Sequence, residues 1–181
     1  GPALTTRNGL NAAKAILALN VLVENTSQPG GVFPTFGENH TTDFATVKAL
    51  IAKMNAGEVE TLFIHGINPV FELPASAGFQ AALKKLKTVI SFSTFEDETV
   101  VESDYVFPDH AALESFGYQK VLLGSDREAY SSIQPVVAPI HDTKATADVL
   151  LAAIIATGEN LASDILHTDE VDFIQKTITP L

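Results

Sequence analysis

The alternation of helical and strand-like segments between residues 43 and 107 constrains the fold of this chain most strongly. Apolar side chains recur at helical spacing in two segments, which are predicted helices: 43–56 and 75–86. Three short apolar runs are predicted strands: 61–65, 88–92 and 104–107. The strands are apolar nearly throughout, which is typical of parallel strands buried on both faces. The pattern therefore predicts an α/β fold, a Rossmann-like parallel sheet with helices on both faces.

The flanking segments are predicted to be mainly helical. Residues 9–24 follow Asn8, a residue suited to the N-cap, and carry a broad apolar face, so we expect a largely buried helix there. Residues 143–156 are predicted to form another helix, and residues 164–181 one or two short helices. No internal repeat or clear linker interrupts the chain, so residues 3–181 are expected to form a single domain.

Composition excludes several classes of function. The 181 residues carry 22 Asp and Glu against 11 Lys and Arg, a formal net charge of -11, which is the wrong sign for binding nucleic acid. The absence of cysteine excludes disulfides, thiolate metal ligands and iron–sulfur ligands from this chain. The five histidines lack ligand spacing, so no metal site is predicted. No apolar run approaches the roughly 20 residues of a membrane span, so direct membrane insertion is not expected.

Three polar segments follow the predicted strands and form the candidate functional site: 65–69, 93–99 and 108–110. Ligands of parallel sheets bind beyond the carboxyl ends of the strands, where loop amides converge. In the first segment, Gly66 permits close approach of a ligand, Asn68 offers a donor and an acceptor, and Pro69 fixes the turn. These residues also suit an ordinary strand exit, and Asp97 also suits a helix cap. The chain has no dinucleotide, P-loop or hydrolase signature, so its residues alone specify no reaction.

Four stretches, in this order, resemble the molybdopterin oxidoreductase superfamily, the enzymes similar to dimethyl sulfoxide reductase. They are a helix at 10–20 leading to Asn25 and 29–31, then Gly66-Ile67-Asn68-Pro69, then Glu98-Thr99 with 104–108, and finally 114–117. Their order and spacing over residues 8–150 carry the resemblance. It implies a Rossmann-like domain that helps to hold the guanosine end of a bis-molybdopterin guanine dinucleotide.

The resemblance also implies which residues bind the cofactor: Gly66, Asn68, Pro69, Ser93, Asp97 and Thr99. It assigns no catalytic residue and no metal ligand to this chain. Family members usually carry an acidic residue where this chain has Ser93, because a carboxylate accepts two N–H bonds from guanine. A serine hydroxyl cannot form that bidentate pair, and the neighbouring Asp97 is the alternative partner for the base. We therefore expect no molybdopterin cofactor in this chain by itself.

Residues 96–99 and 132–139 are most similar to one branch of the superfamily, the iron–sulfur, molybdopterin-like large subunit of alternative complex III-type electron-transfer complexes. This branch implies a respiratory scaffold with a degenerate nucleotide crevice on the extracytoplasmic (periplasmic) side of a bacterial membrane. Its partners would be the remaining domains of its subunit and other subunits. The opening Gly1-Pro2 resembles an expression scar, so the chain is expected to be an excised fragment, inactive alone.

Two alternatives to the scaffold remain open from the sequence. The chain could be the cofactor-binding domain of a catalytic molybdoenzyme similar to polysulfide or thiosulfate reductases. It could also be a free-standing binder of a small nucleotide, which the resemblance disfavours.

Overall fold

The computed structural model describes residue 4 and residues 6–33, 42–121, 129–158 and 167–178. Contacts between Cα atoms divide the chain into two compact units. The first unit comprises residues 1–39 and 119–131, and the second comprises residues 40–118 and 132–181. This division reflects how densely each unit is packed internally. It does not test the single domain expected over residues 3–181, which stays a prediction.

One helix, α1 (Gly9–Leu22), dominates the described part of the first unit. It lies where the sequence predicts it, but the expectation that it is largely buried is wrong. Leu10, Leu17 and Leu22 are 64%, 54% and 79% exposed. Apolar residues at helical spacing show which surface a helix can bury, whereas the elements around it decide whether that surface is covered. α1 therefore presents an apolar surface to solvent.

A tight turn after α1 contains Pro29, Gly30 and Gly31. The backbone N–H of Val32 returns to the carbonyl oxygen of Asn25 at 2.8 Å, and Thr26 and Val32 form an isolated β-bridge. An added Cβ at Gly31 would collide with that same carbonyl oxygen of Asn25. Only glycine fits this position, because the backbone closes directly onto it.

The second unit is built on a three-stranded parallel sheet with the order β1–β2–β3. The strands β1 (Thr61–His65), β2 (Thr88–Ser93) and β3 (Tyr105–Pro108) match the predicted runs to within one residue at each end. β2 is central, because its Phe92 pairs with His65 of β1 and with Phe107 of β3. Helices flank this sheet, so the prediction of an α/β fold with a parallel sheet is confirmed.

The helix before the sheet, α2 (Phe44–Ala56), has the ends that the sequence predicts. Asp43 Oδ1 accepts a hydrogen bond from the backbone N–H of Thr46 at 2.8 Å and caps the first turn. The helix ends at Gly57, whose φ of +76° lies in the left-handed region that glycine adopts without strain.

The predicted continuous helix over residues 75–86 is wrong. After α3 (Pro69–Glu72), a 3-10 turn at Ala75–Ala77 and the helix α4 (Phe79–Leu83) are separate elements. Gly78 lies between them with a φ of +74°, which no right-handed helix accommodates.

The remaining described elements are α5 (Glu98–Val101), β4 (Gly117–Val121), β5 (Ala129–Ile133), α6 (Thr146–Thr157) and α7 (Glu170–Ile178). β4 and β5 pair in a two-stranded sheet.

The hydrophobic core of the second unit lies between one face of the parallel sheet and the helices α2 and α4. Met54 of α2 and Ala82 of α4 are fully buried, and they belong to one cluster with Ile64 of β1 and Val89 of β2. Residues alternate between the two faces of a strand, so Phe63, next to Ile64, points to the opposite face. The core therefore holds α2, and α4 of the crossover between β1 and β2, against the sheet.

The opposite face of the sheet carries a row of aromatic rings. Phe92 stacks between Phe63 and Phe107, with ring centroids 6.5 and 5.3 Å apart. Phe92 is buried, whereas Phe63 is 56% exposed and Tyr105 is 60% exposed. This face therefore offers aromatic surface to solvent.

Candidate functional site

The three polar segments lie together at the carboxyl edge of the parallel sheet. β1, β2 and β3 run in the same direction, so their carboxyl ends meet at one edge. The backbone N–H of Gly66 donates to the carbonyl oxygen of Phe92 at 3.1 Å, and the N–H of Asp109 donates to that of Ser93 at 3.1 Å. These bonds join each segment to its neighbour.

Asn68, Glu98 and Thr99 form a hydrogen-bonded group between the first two segments, called here the Asn68 cluster. Asn68 Nδ2 donates to Glu98 Oε2 at 2.6 Å, and Thr99 Oγ1 donates to Asn68 Oδ1 at 2.7 Å. Thr99 is fully buried, and its hydroxyl also accepts a hydrogen bond from the backbone N–H of Val70 at 3.1 Å. Both polar atoms of the Asn68 side chain therefore have partners within the protein.

Asp97 and Pro69, two further predicted cofactor-binding residues, have local structural roles. Asp97 Oδ1 accepts hydrogen bonds from the backbone N–H groups of Thr99 and Val100, at 3.0 and 2.9 Å, and thereby caps α5. Pro69 is buried at the first position of α3, where its missing N–H removes no helical hydrogen bond. The sequence allows Asp97 either to bind the cofactor or to cap a helix, and in this structure its side chain caps α5.

Ser93 and Gly66 complete the predicted set. Ser93 Oγ donates to the carbonyl oxygen of Phe95 at 2.9 Å and accepts from the backbone N–H of Phe95 at 3.2 Å, so the hydroxyl closes a turn. Gly66 has a φ of +63°, and an added Cβ would meet no atom within 4 Å. The backbone conformation requires glycine at this position, and the space beside it is open.

The third segment holds a polar network that sequence reasoning did not predict. His65 Nε2 lies 2.8 Å from Asp109 Oδ2, which also accepts a hydrogen bond from Thr146 Oγ1 at 2.9 Å. His110 Nδ1 lies 2.7 Å from Thr143 Oγ1. The members of these pairs are 44, 37 and 33 residues apart, so no local spacing reveals them. The sequence signal for the network was the position of His65 and Asp109 at the ends of strands.

Hydrogen bonds favour the ionised forms of Glu98 and Glu114. The Asn68 amide lowers the pKa of Glu98, and the backbone N–H of Glu98 itself lowers it further. The backbone N–H groups of Ile140 and Ala111 lower the pKa of Glu114, which is only 9% exposed. Across the ranges that the structure describes, no group of three His, Asp or Glu residues is placed to hold a metal ion.

In this conformation, the polar side chains of this edge offer few unengaged partners to the guanosine diphosphate end of a molybdopterin cofactor. The three segments contain no Lys or Arg to pair with a diphosphate, and they carry Glu96, Asp97, Glu98 and Asp109. The predicted residues with polar side chains already bond to protein groups: Asn68, Ser93, Asp97 and Thr99. The arrangement holds three loops together and presents negative charge to solvent.

Comparison with known proteins relates the chain to one family. The family model of the molybdopterin oxidoreductases matches residues 2–153. The chain is also 29% identical over 169 residues to a protein of Nitratidesulfovibrio vulgaris, the menaquinone reductase, molybdopterin-binding-like subunit. This alignment covers 87% of the chain and 24% of that protein. The chain thus spans about a quarter of the length of this relative. Because the family model covers most of the chain, including all three segments of the site, the chain belongs to the molybdopterin oxidoreductase family.

Proposed function

We propose that the chain is a scaffold domain within a molybdopterin-oxidoreductase-like subunit of a respiratory electron-transfer complex, and that its nucleotide crevice is degenerate. The observation that carries this proposal is the Asn68 cluster. Asn68 and Thr99 are predicted to bind the nucleotide, but their polar atoms bond to each other, to Glu98 and to the backbone. A ligand would have to break these bonds before it gained its own, which weakens binding.

Two further observations support the degenerate crevice. Ser93 stands where the family usually has an acidic residue, and its hydroxyl is engaged by Phe95. The similar protein from Nitratidesulfovibrio vulgaris is described as a molybdopterin-binding-like subunit of a menaquinone reductase. A role in quinone-linked electron transfer agrees with the respiratory complex proposed here.

The proposed partners are the remaining parts of the same subunit and other subunits of the complex, on the extracytoplasmic side of the membrane. The apolar surface of α1 and the aromatic face with Phe63 and Tyr105 are exposed, and such surfaces are typical of protein contacts. In the described portion of the chain, no helix combines the length and the apolar character needed to cross a bilayer. We therefore propose contact with the membrane complex through protein surfaces.

The second candidate function is cofactor binding within a catalytic molybdoenzyme. The observation that favours it is the open space beside Gly66, which leaves room for a ligand next to the backbone of the first segment. In this case the loops would rearrange, and Glu98 or Asp97 would replace Ser93 as the partner of guanine.

The molybdenum and pterin content of the full-length subunit tests these functions. The subunit is expressed in a host that makes molybdopterin guanine dinucleotide, and metal analysis and pterin fluorescence are measured on the purified protein. Full loading with a bis-molybdopterin guanine dinucleotide would give one molybdenum and two pterins per subunit, and we expect far less than this. A content near one molybdenum and two pterins per subunit would contradict the scaffold and favour the molybdoenzyme.

Titration with guanosine diphosphate tests the crevice itself. We expect no binding at millimolar concentrations by the native sequence, and millimolar or tighter binding would contradict a degenerate crevice. The matched variants are Ser93→Asp, which restores the carboxylate, and Thr94→Asp, which adds the same charge one residue away. Binding by the first variant alone would assign the loss of the nucleotide to position 93.

A further inference from the structure

A cavity of about 350 Å³ lies in the second unit, beyond the third segment of the site. Its walls are formed by the segment before α6 and by the first turns of α6 and α7, with Val137, Pro139 and Val171 among the apolar members. Apolar walls screen charges less than bulk water does, so repulsion between carboxylates is stronger beside them.

The charged groups that line this cavity are mostly acidic: Glu114, Asp148, Asp169 and Glu170, with His110 as the titratable base. Three of these carboxylates are compensated by backbone donors. Asp169 Oδ1 accepts a hydrogen bond from the N–H of Asp172 at 2.8 Å. Glu114 accepts hydrogen bonds from the N–H groups of Ala111 and Ile140, at 3.2 and 3.0 Å. Asp148 Oδ1 accepts one from the N–H of Glu170 at 2.8 Å.

Glu170 differs from these three residues because no backbone donor compensates its carboxyl group among the residues that the structure describes. Burial raises the pKa of Glu170, and the carboxylates of Asp148 and Asp109 raise it further, against a smaller opposite effect of His110 and His65. Asp148 thus has two opposed effects, because it holds the backbone of Glu170 and repels its ionised side chain.

We propose that Glu170 is the proton-binding group of a pH-sensitive clasp that fastens the first turn of α7 to the first turn of α6. The fastening element is the hydrogen bond from the N–H of Glu170 to Asp148. A neutral Glu170 leaves this bond undisturbed. An ionised Glu170 places a second negative charge beside Asp148, near Asp109 and inside a partly apolar cavity, and this repulsion opens the clasp. The device is independent of whether the crevice binds a nucleotide.

The sign of the pH dependence follows from the raised pKa. Glu170 binds its proton more tightly when α7 is docked than when it is released. The stabilisation of the docked state is therefore fully present below the pKa of the released carboxyl, and it is lost as the pH rises through the higher pKa of the docked state. Each unit by which docking raises the pKa changes the docking equilibrium about tenfold.

Hydrogen exchange of the intact protein tests the clasp. Exchange of the peptide that covers residues 169–178 is followed by mass spectrometry between pH 5 and pH 8 and corrected for the intrinsic pH dependence of exchange. The variants are Glu170→Gln, which resembles the protonated side chain, and Glu58→Gln, an exposed control remote from the cavity. We expect protection of this peptide in the native protein to fall by about threefold or more as the pH rises, which corresponds to about half a pKa unit.

The two variants separate Glu170 from the neighbouring histidines. Glu170→Gln is expected to keep the protection of the low-pH state at every pH, and Glu58→Gln is expected to follow the native profile. A native profile that does not change with pH would overturn the proposal. So would a Glu170→Gln variant that retains the native pH dependence, because His65 or His110 would then be the responsible group.

Discussion

Replacement of Thr99 by valine tests whether the Asn68 cluster stabilises the fold. The two side chains have nearly the same shape, so the change removes the hydroxyl and leaves the packing of a fully buried position almost intact. The hydroxyl takes part in two hydrogen bonds, one to Asn68 Oδ1 and one from the N–H of Val70. Each is worth about 1 kcal/mol net, so we expect a loss of about 2 kcal/mol in the free energy of unfolding.

Urea unfolding followed by circular dichroism measures this loss. With a denaturant slope of about 2 kcal/mol per molar, the midpoint should fall by about 1 M. The matched control is Thr99→Ser, which keeps the hydroxyl and loses one methyl group, at a cost of about 1 kcal/mol. The native protein should be the most stable and Thr99→Val the least. The reasoning is refuted if Thr99→Val is as stable as Thr99→Ser or more stable, because the methyl group would then matter more than the hydrogen bonds.

Two other predictions concern a charge and the core. Asn68→Ala should raise the pKa of Glu98 towards its ordinary value, as followed by NMR of the carboxyl carbon, because the Asn68 amide is the main cause of its lowering. Ionised Glu98 stabilises the folded protein fully above the pKa that this carboxyl group has in the unfolded chain, and the stabilisation is lost as the pH falls through its lower pKa in the folded protein. An unchanged pKa of Glu98 in Asn68→Ala would contradict the assignment of the lowering to the Asn68 amide. Met54→Ala should cost about 2–5 kcal/mol in thermal or urea unfolding, because Met54 is fully buried. The volume-conserving Met54→Leu should cost less than about 1.5 kcal/mol, and equal costs would argue against the assigned core.

Elements with a local physical cause were predictable from the sequence. The three parallel strands appear as short apolar runs, and the ends of α2 appear as Asp43 and Gly57. Both kinds of signal act within a few residues, through burial of a continuous strand or through capping of a helix end. The prediction of one helix over residues 75–86 was wrong for a related reason. The apolar spacing continues through Gly78, but the positive φ of Gly78 interrupts the helical backbone.

The exposure of α1 and the structure of the site had no such local cause. α1 has the apolar residues of a buried helix, but its burial depends on which elements surround it, and none of the described elements covers Leu17 or Leu22. The sequence placed Asn68 and Thr99 in the segments of the site, as residues that would bind a nucleotide. The structure places them against each other across 31 residues of chain, with their polar atoms engaged.

The sequence by itself determined the fold class, the positions of the strands and the three polar segments that follow them. These properties depend on side-chain patterns and on the common direction of parallel strands, both of which can be followed along the chain. Only the tertiary structure decided which groups meet: the side chains of Asn68 and Thr99, those of His65 and Asp109, and the backbone N–H of Glu170 with the side chain of Asp148. The physical reason is that such pairs depend on the order and register of the strands and on the docking of distant helices, which bring together residues 22 to 44 positions apart.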